Sequence, residues 1–141
     1  MNDEEYDVFQ AVVVQINETV DIALLKLEKG NYYYSLIEEN RKPYPGEEIV
    51  ILGYPFGSRM NDDVMKLNIS FAKGYVSSNQ VVAGIGRTLL DISAKAGNSG
   101  SPIISTETGN VIGILCGSMI QGNEEVNYML PISYIDTILE Q

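Results

Sequence analysis

The 141-residue sequence predicts an all-β fold, a barrel or sandwich, finished by one C-terminal helix. Eight short apolar or β-branched runs recur along the chain, and Gly, Asn, Asp and Pro stand between them. Only residues 132–141 carry a helical period.

The first run, VFQAVVVQ (8–15), is dense in β-branched residues, and DIALLKL (21–27) is nearly continuous apolar sequence. KPYPG supplies turn chemistry before EEIVILGY (47–54). KLNISFAKGYVSS (66–78) and GRTLLDISA (86–94) follow, with the hairpin turn between them at GIG (84–86). SPIIS (101–105), NVIGILCGS (110–118) and VNYMLP (126–131) complete the set, and ETGN (107–110) reads as a tight hairpin turn. After Pro131, the stretch ISYIDTILEQ places Ile132, Ile135, Ile138 and Leu139 on one apolar helical face.

Composition narrows the function classes. The net charge of −10 and nine scattered Lys and Arg argue against a nucleic-acid partner. No apolar run approaches the ~20 residues of a membrane span. With no histidine and a single cysteine, Cys116, neither an intrachain disulfide nor a zinc site is expected. The acidic start, MNDEEYD, is not a signal peptide.

The chemistry concentrates in AKAGNSGSPIIS (94–105). A serine between flexible glycines suits a nucleophile, because such a loop aims consecutive backbone N–H groups into one small space. Those groups are what a developing oxyanion needs. Alone, the tetrapeptide GNSG is equally a glycine-rich turn. The nucleophile elbow G-x-S-x-G does not fit, since Ser101 occupies its last position and Pro102 with Ile103-Ile104 opposes a following helix. GIGRTL (84–89) lacks the third glycine of a dinucleotide-binding loop.

The order TVDIALLKLEKG, GEEIVILGYPFG, DISAKAGNSGSPIISTETGNVIGILCGS and NYMLPISYI resembles the trypsin-like serine proteases, in particular the bacterial HtrA (Deg) family. GNSGSP is also similar to the bacterial glutamyl endopeptidases. The resemblance spans about Tyr6 to Leu139. It implies two six-stranded antiparallel barrels with an active site between them, a polypeptide substrate, no metal and no organic cofactor. It implies Ser99 as nucleophile, Asp21 as the triad carboxylate, and Gly97, Asn98 and Ser99 as the oxyanion segment. It places Ser93, Leu115, Cys116, Gly117 and Asn127 around the specificity pocket, which predicts a preference for small or medium uncharged residues. It also implies an extracytoplasmic or secreted setting.

The triad histidine has no counterpart in the sequence. The resemblance assigns 8–15 and 21–27 to the last two strands of a first barrel. Residues 1–46 then read as a remnant of that barrel with the inter-barrel linker, and 47–141 as a complete second barrel with its helix. The reading expects a chain shortened from a longer protease and inactive by itself. A non-catalytic peptide-binding module and a protease completed by another chain are the alternatives. The half barrel should expose strand edges and apolar surface, inviting a second copy or a complementing chain. Lys95 and Lys73 are the conceivable substitute bases, but nothing in the sequence desolvates them.

Overall fold

The computed structural model describes residues 9–54, 69–135 and 138. Two strands, β1 (Ala11–Asn17) and β2 (Ile22–Leu27), form an antiparallel two-stranded sheet. Six more close a barrel: β3 (Glu48–Gly53), β4 (Ser70–Val82), β5 (Ile85–Asp91), β6 (Pro102–Ser105), β7 (Val111–Gln121) and β8 (Glu124–Pro131). They neighbour one another in the order β3-β4-β5-β8-β7-β6, and β6 returns to β3. All eight predicted strands are present, and every pairing between them is antiparallel.

Period-two patterning explains the barrel. Ile49 and Ile51 on β3, Ile103 on β6, Leu115 on β7 and Met129 on β8 all point inward and are almost wholly buried. Leu90 and Ile92 fill the same interior from β5 and its extension. Gly113 permits a close strand contact. A Cβ at Gly113 would stand 2.8 Å from the Leu130 carbonyl oxygen. The β4–β5 hairpin closes through Ala83 (φ 52°) and Gly84 (φ 80°), and positive φ at both central residues suits the right-handed twist of the strands. This extends the strand predicted at 66–78 as far as Val82, while residues 66–68 lie outside the described part.

Of the C-terminal helix expected over 132–141, the described residues show a 3-10 turn and a helical conformation at Ile138. After Pro131 the chain makes a 3-10 turn, Ile132–Tyr134, in which Ile135 N–H bonds the Ile132 carbonyl at 2.9 Å. Ile138 N–H likewise bonds Ile135 at 2.9 Å, and Ile138 is buried. Residues 136, 137 and 139–141 lie outside the described part.

The segment joining the two sheets is fastened to the barrel. Ile37 forms an isolated parallel bridge with Val111. Arg41 bonds Glu38, the buried Glu47 and Glu107, each at 2.8–2.9 Å. Arg41 thus ties the linker to β3 and to the β6–β7 turn. By contrast β1 is exposed along most of its length on both faces, with Val12, Val13, Val14 and Ile16 all more than half accessible.

Candidate active site

The serine loop is built from interlocked turns pinned to β7. Asn98 N–H donates to the Lys95 carbonyl and Ser101 N–H to the Asn98 carbonyl, both at 3.0 Å. Gly100 N–H donates to the Leu115 carbonyl at 2.7 Å, and Leu115 N–H returns to Ser101 at 2.9 Å. Gly97 takes φ 95° and Gly100 φ 87°, angles that side-chain-bearing residues avoid. Among the described residues, the N–H groups of Gly97 and Ser99 donate to no acceptor, so both remain available to a ligand oxygen. The Asn98 N–H is consumed by the turn, so of the oxyanion segment Gly97, Asn98 and Ser99 only the first and last keep an unpaired N–H among the described residues.

The Asn98 side chain packs beneath the loop. It is buried, and its Oδ1 has no hydrogen-bond partner. The loop presses on Gly53 at the end of β3, where an added Cβ would collide with Ser101 Oγ and lie 3.0 Å from Asn98 Oδ1. Gly53 is a site residue that sequence reasoning missed; the glycine inside the apolar strand EIVILG was the signal.

Asp21 comes from the other sheet. The β1–β2 connection is an Asx-type turn in which Asn17 Oδ1 accepts from Thr19 N–H (3.1 Å) and Val20 N–H (3.4 Å). Asp21 ends that turn at φ 61°, a left-handed angle that Asp tolerates better than most residues. The turn carries Asp21 out into the open, where it is exposed.

Asp21 and Ser99, far apart in sequence and on different sheets, line one cleft of about 430 Å³. Leu115 and Cys116 line it too, as does the carboxylate-bearing Glu18. No Lys or Arg is among its described lining residues, so its charge is anionic. Of the other predicted pocket residues, Gly117 runs beside the nucleophile: a Cβ there would stand 4.0 Å from Ser99 Oγ. Ser93 and Asn127 are not brought into the cleft. Ser93 is exposed, and Asn127 Nδ2 donates to the Ile92 carbonyl at 2.7 Å. Burial pushes the Cys116 thiol above its ordinary pKa, opposed by the Leu130 backbone and by the charge of Arg87. Lys73, one conceivable base, pairs with Glu48 at 2.8 Å, which raises its pKa and keeps it protonated. Lys95 is exposed.

A family model described as trypsin-like peptidase domain matches residues 2–114. The chain belongs to the trypsin-like peptidase family. Among curated proteins the chain is similar to a probable periplasmic DegP-like serine endoprotease of Pseudomonas putida. The two are 32% identical over 105 residues, covering 74% of this chain and 21% of that protein. It is also similar to the mitochondrial serine protease HTRA2 of Drosophila virilis, 24% identical over 141 residues, covering 94% of this chain and 30% of that protein. These relatives bear out the HtrA-like resemblance read from the motifs. The chain spans about a fifth to a third of the length of the curated relatives it matches.

Solved structures share the fold. The active form of a Mycobacterium tuberculosis protease superposes with a TM-score of 0.77 at 21% identity, covering 94% of this chain and 58% of that one. A serine endoprotease of Yersinia pestis gives 0.73 at 24% identity, covering 94% and 43%.

Proposed function

We propose that the chain is the nucleophile-bearing part of a serine endopeptidase that hydrolyses peptide bonds through an acyl-enzyme. Ser99 Oγ attacks the scissile carbonyl, and the Gly97 and Ser99 N–H groups hold the oxyanion. Asp21 orients the imidazole of a histidine that is not among these 141 residues. That histidine takes the Ser99 proton and later gives it to the leaving amine. Residues 1–46 act as the part of a first barrel that delivers Asp21, and 47–141 as the second barrel that delivers Ser99. The exposed faces of β1 suit further strands, whether from the same polypeptide or a complementing one. Leu115, Cys116 and Gly117, beside Ser99, would flank the residue before the scissile bond, while Ser93 and Asn127, which the resemblance assigns to the same pocket, lie outside the cleft. With no carboxylate at Ser93 and no histidine, an uncharged side chain of small or medium size is favoured there.

The observation that carries this reading is the meeting of Asp21 and Ser99 in one cleft. Loss of the triad histidine costs about 10⁶ in turnover in well-studied proteases, so these 141 residues alone should be close to inert. The test is chemical rescue with free imidazole. Imidazole should restore saturable hydrolysis of an activated ester and labelling by a serine-directed phosphonate. Both should vanish in Ser99→Ala, and the rescue should weaken in Asp21→Asn. Rescue undiminished in Ser99→Ala would sink the proposal. The absence of any histidine favours one other reading, a peptide-binding module without catalysis on the same fold. Saturable peptide binding in the cleft with no imidazole rescue would select it.

A further inference from the structure

The two sides of the Asp21–Ser99 cleft are joined by little direct packing. No strand of the β1–β2 sheet pairs with a barrel strand among the described residues. Of residues 9–27, only Val20 is buried. Much of what fixes Asp21 relative to Ser99 is therefore the linker between sheet and barrel.

That linker falls into three parts. The first belongs to the sheet. The Tyr32 hydroxyl donates to the Glu28 carbonyl at 2.8 Å, and its ring meets Phe9, just before β1, edge-on with centroids 5.2 Å apart. The last part belongs to the barrel. Glu38 N–H donates to the Val111 carbonyl at 3.0 Å, and Val111 N–H to the Leu36 carbonyl at 2.9 Å. Between them Tyr33, Tyr34 and Ser35 are exposed, and no backbone hydrogen bond ties them to either side among the described residues. These three residues form a joint.

Side chains reinforce the bonds at Val111. Arg41 Nη1 donates to both Glu38 oxygens at 3.0 and 2.9 Å, while Nη2 reaches the buried Glu47 at 2.9 Å and Glu107 at 2.8 Å. The Thr108 hydroxyl donates to Glu38 at 2.7 Å, and the Tyr44 hydroxyl to Glu107 at 3.1 Å. A planar guanidinium fork can serve several carboxylates at once, which the point charge of a lysine does not reproduce. The Arg41 side chain is only 15% exposed, so these bonds are screened less than surface pairs. The clasp closes beside Val111, at the start of β7. Four residues along the same strand, the Leu115 carbonyl accepts from Gly100 N–H and pins the serine loop. One strand thus anchors both the linker and the nucleophile.

We propose that Arg41 is a positioning residue: by clasping the linker to the barrel at β7, it holds Asp21 at a fixed separation from Ser99. The catalytic consequence rests on the peptidase reading; the geometric one does not. With the clasp open, the sheet swings at residues 33–35, and Asp21 no longer orients an imidazole beside Ser99.

Spin labels at Thr19→Cys, on the β1–β2 turn, and Ser77→Cys, on β4, report the separation in Cys116→Ser protein; both positions are exposed. Double electron–electron resonance is read with the labelled chain diluted in unlabelled protein, so that only distances within one chain count. The parent should give one narrow distance distribution and Arg41→Met a broad one. Glu107→Lys, at an exposed position, sets a like charge against Arg41 without touching the core and should broaden it too. It keeps the test decisive should Arg41→Met fail to fold. In chains with native Cys116, Asp21→Asn should weaken imidazole-rescued labelling of Ser99 in the parent. In Arg41→Met the same change should alter labelling by less than about twofold, the mark of uncoupled sites. Loss of folded protein alone would lower all labelling alike and leave the Asp21→Asn ratio intact. A broad distribution in the parent, a parent-like narrow one in folded Arg41→Met or Glu107→Lys, or an undiminished Asp21→Asn ratio in Arg41→Met would each overturn the proposal. Absence of imidazole rescue in the parent would count against the peptidase reading instead, and the distances would still decide the clasp.

Discussion

At the scale of single residues, the serine loop is set by what its neighbours leave out. Gly53 has no side chain, and Ser101 and Asn98 occupy the space a Cβ would fill. Gly53→Ala therefore forces either β3 or the serine loop to shift. The expected cost is about 1–3 kcal/mol, the usual range for overpacking a tight site. Because the strain falls on Asn98 and Ser101, which flank Ser99, the variant should also lose imidazole-rescued phosphonate labelling beyond what its unfolded fraction explains. Denaturant melts and labelling on the same sample check this. Full labelling in a destabilised variant would separate Gly53 from the loop. A softer effect belongs to Cys116. The positive charge of Arg87 lowers its thiol pKa against the larger effect of burial, so Arg87→Gln should move the pH profile of Cys116 alkylation to higher pH.

Secondary-structure elements differ in what they contribute. β6 is only four residues long, yet Ile103 is fully buried and bridges β3 and β7. Ile103→Ala should cost about 2–5 kcal/mol. Val13→Ala on the open β1 should stay within about 0.5 kcal/mol, as for surface changes generally. Chemical denaturation of the two variants side by side tests whether stability resides in the barrel. The β3–β4 pairing carries an ionic contact as well. Lys73, and after it Thr106, hold the Glu48 carboxyl below its ordinary pKa of 4.5. A carboxyl lowered on folding adds stability that is present above its unfolded pKa and is lost as pH falls through its folded one. Glu48→Gln should therefore melt lower than the parent at neutral pH, and the gap should close as the pH drops below 4.5. Both groups face solvent, so added salt should narrow the gap as well. A gap unchanged at acid pH would remove the ionic explanation.

For the whole molecule, the two sheets are unequally finished. The barrel closes on itself, whereas the β1–β2 sheet has two edges unpaired among the described residues. Val13 lies opposite Leu25, and both are exposed; Val12 and Val14, on the other face of β1, are exposed too. A sheet apolar on both faces associates at modest concentration. Sedimentation velocity should show concentration-dependent self-association of the 141-residue protein, reduced by Val12→Lys and by Leu25→Lys. A monomer at every accessible concentration would contradict this.

The strands were legible because a buried barrel needs alternation, and alternation is written locally in runs such as EEIVILGY and NVIGILCGS. The serine loop was legible for a similar reason: its positive-φ glycines and its nucleophile are neighbours in sequence. At the end of the chain the described residues show the 3-10 turn Ile132–Tyr134, and most of the helical stretch expected after it lies outside the described part. Asp21 could be named only through family resemblance, since a carboxylate before an apolar strand is ordinary turn chemistry. The sequence by itself thus determined the all-β class, the order of the strands and the serine loop, all of which rest on short-range periodicity and backbone preference. Only the tertiary structure decided that Asp21 and Ser99 share a cleft and that the serine loop presses on Gly53 of β3. Each of those depends on contacts between segments far apart in the chain, whose distances no local pattern encodes.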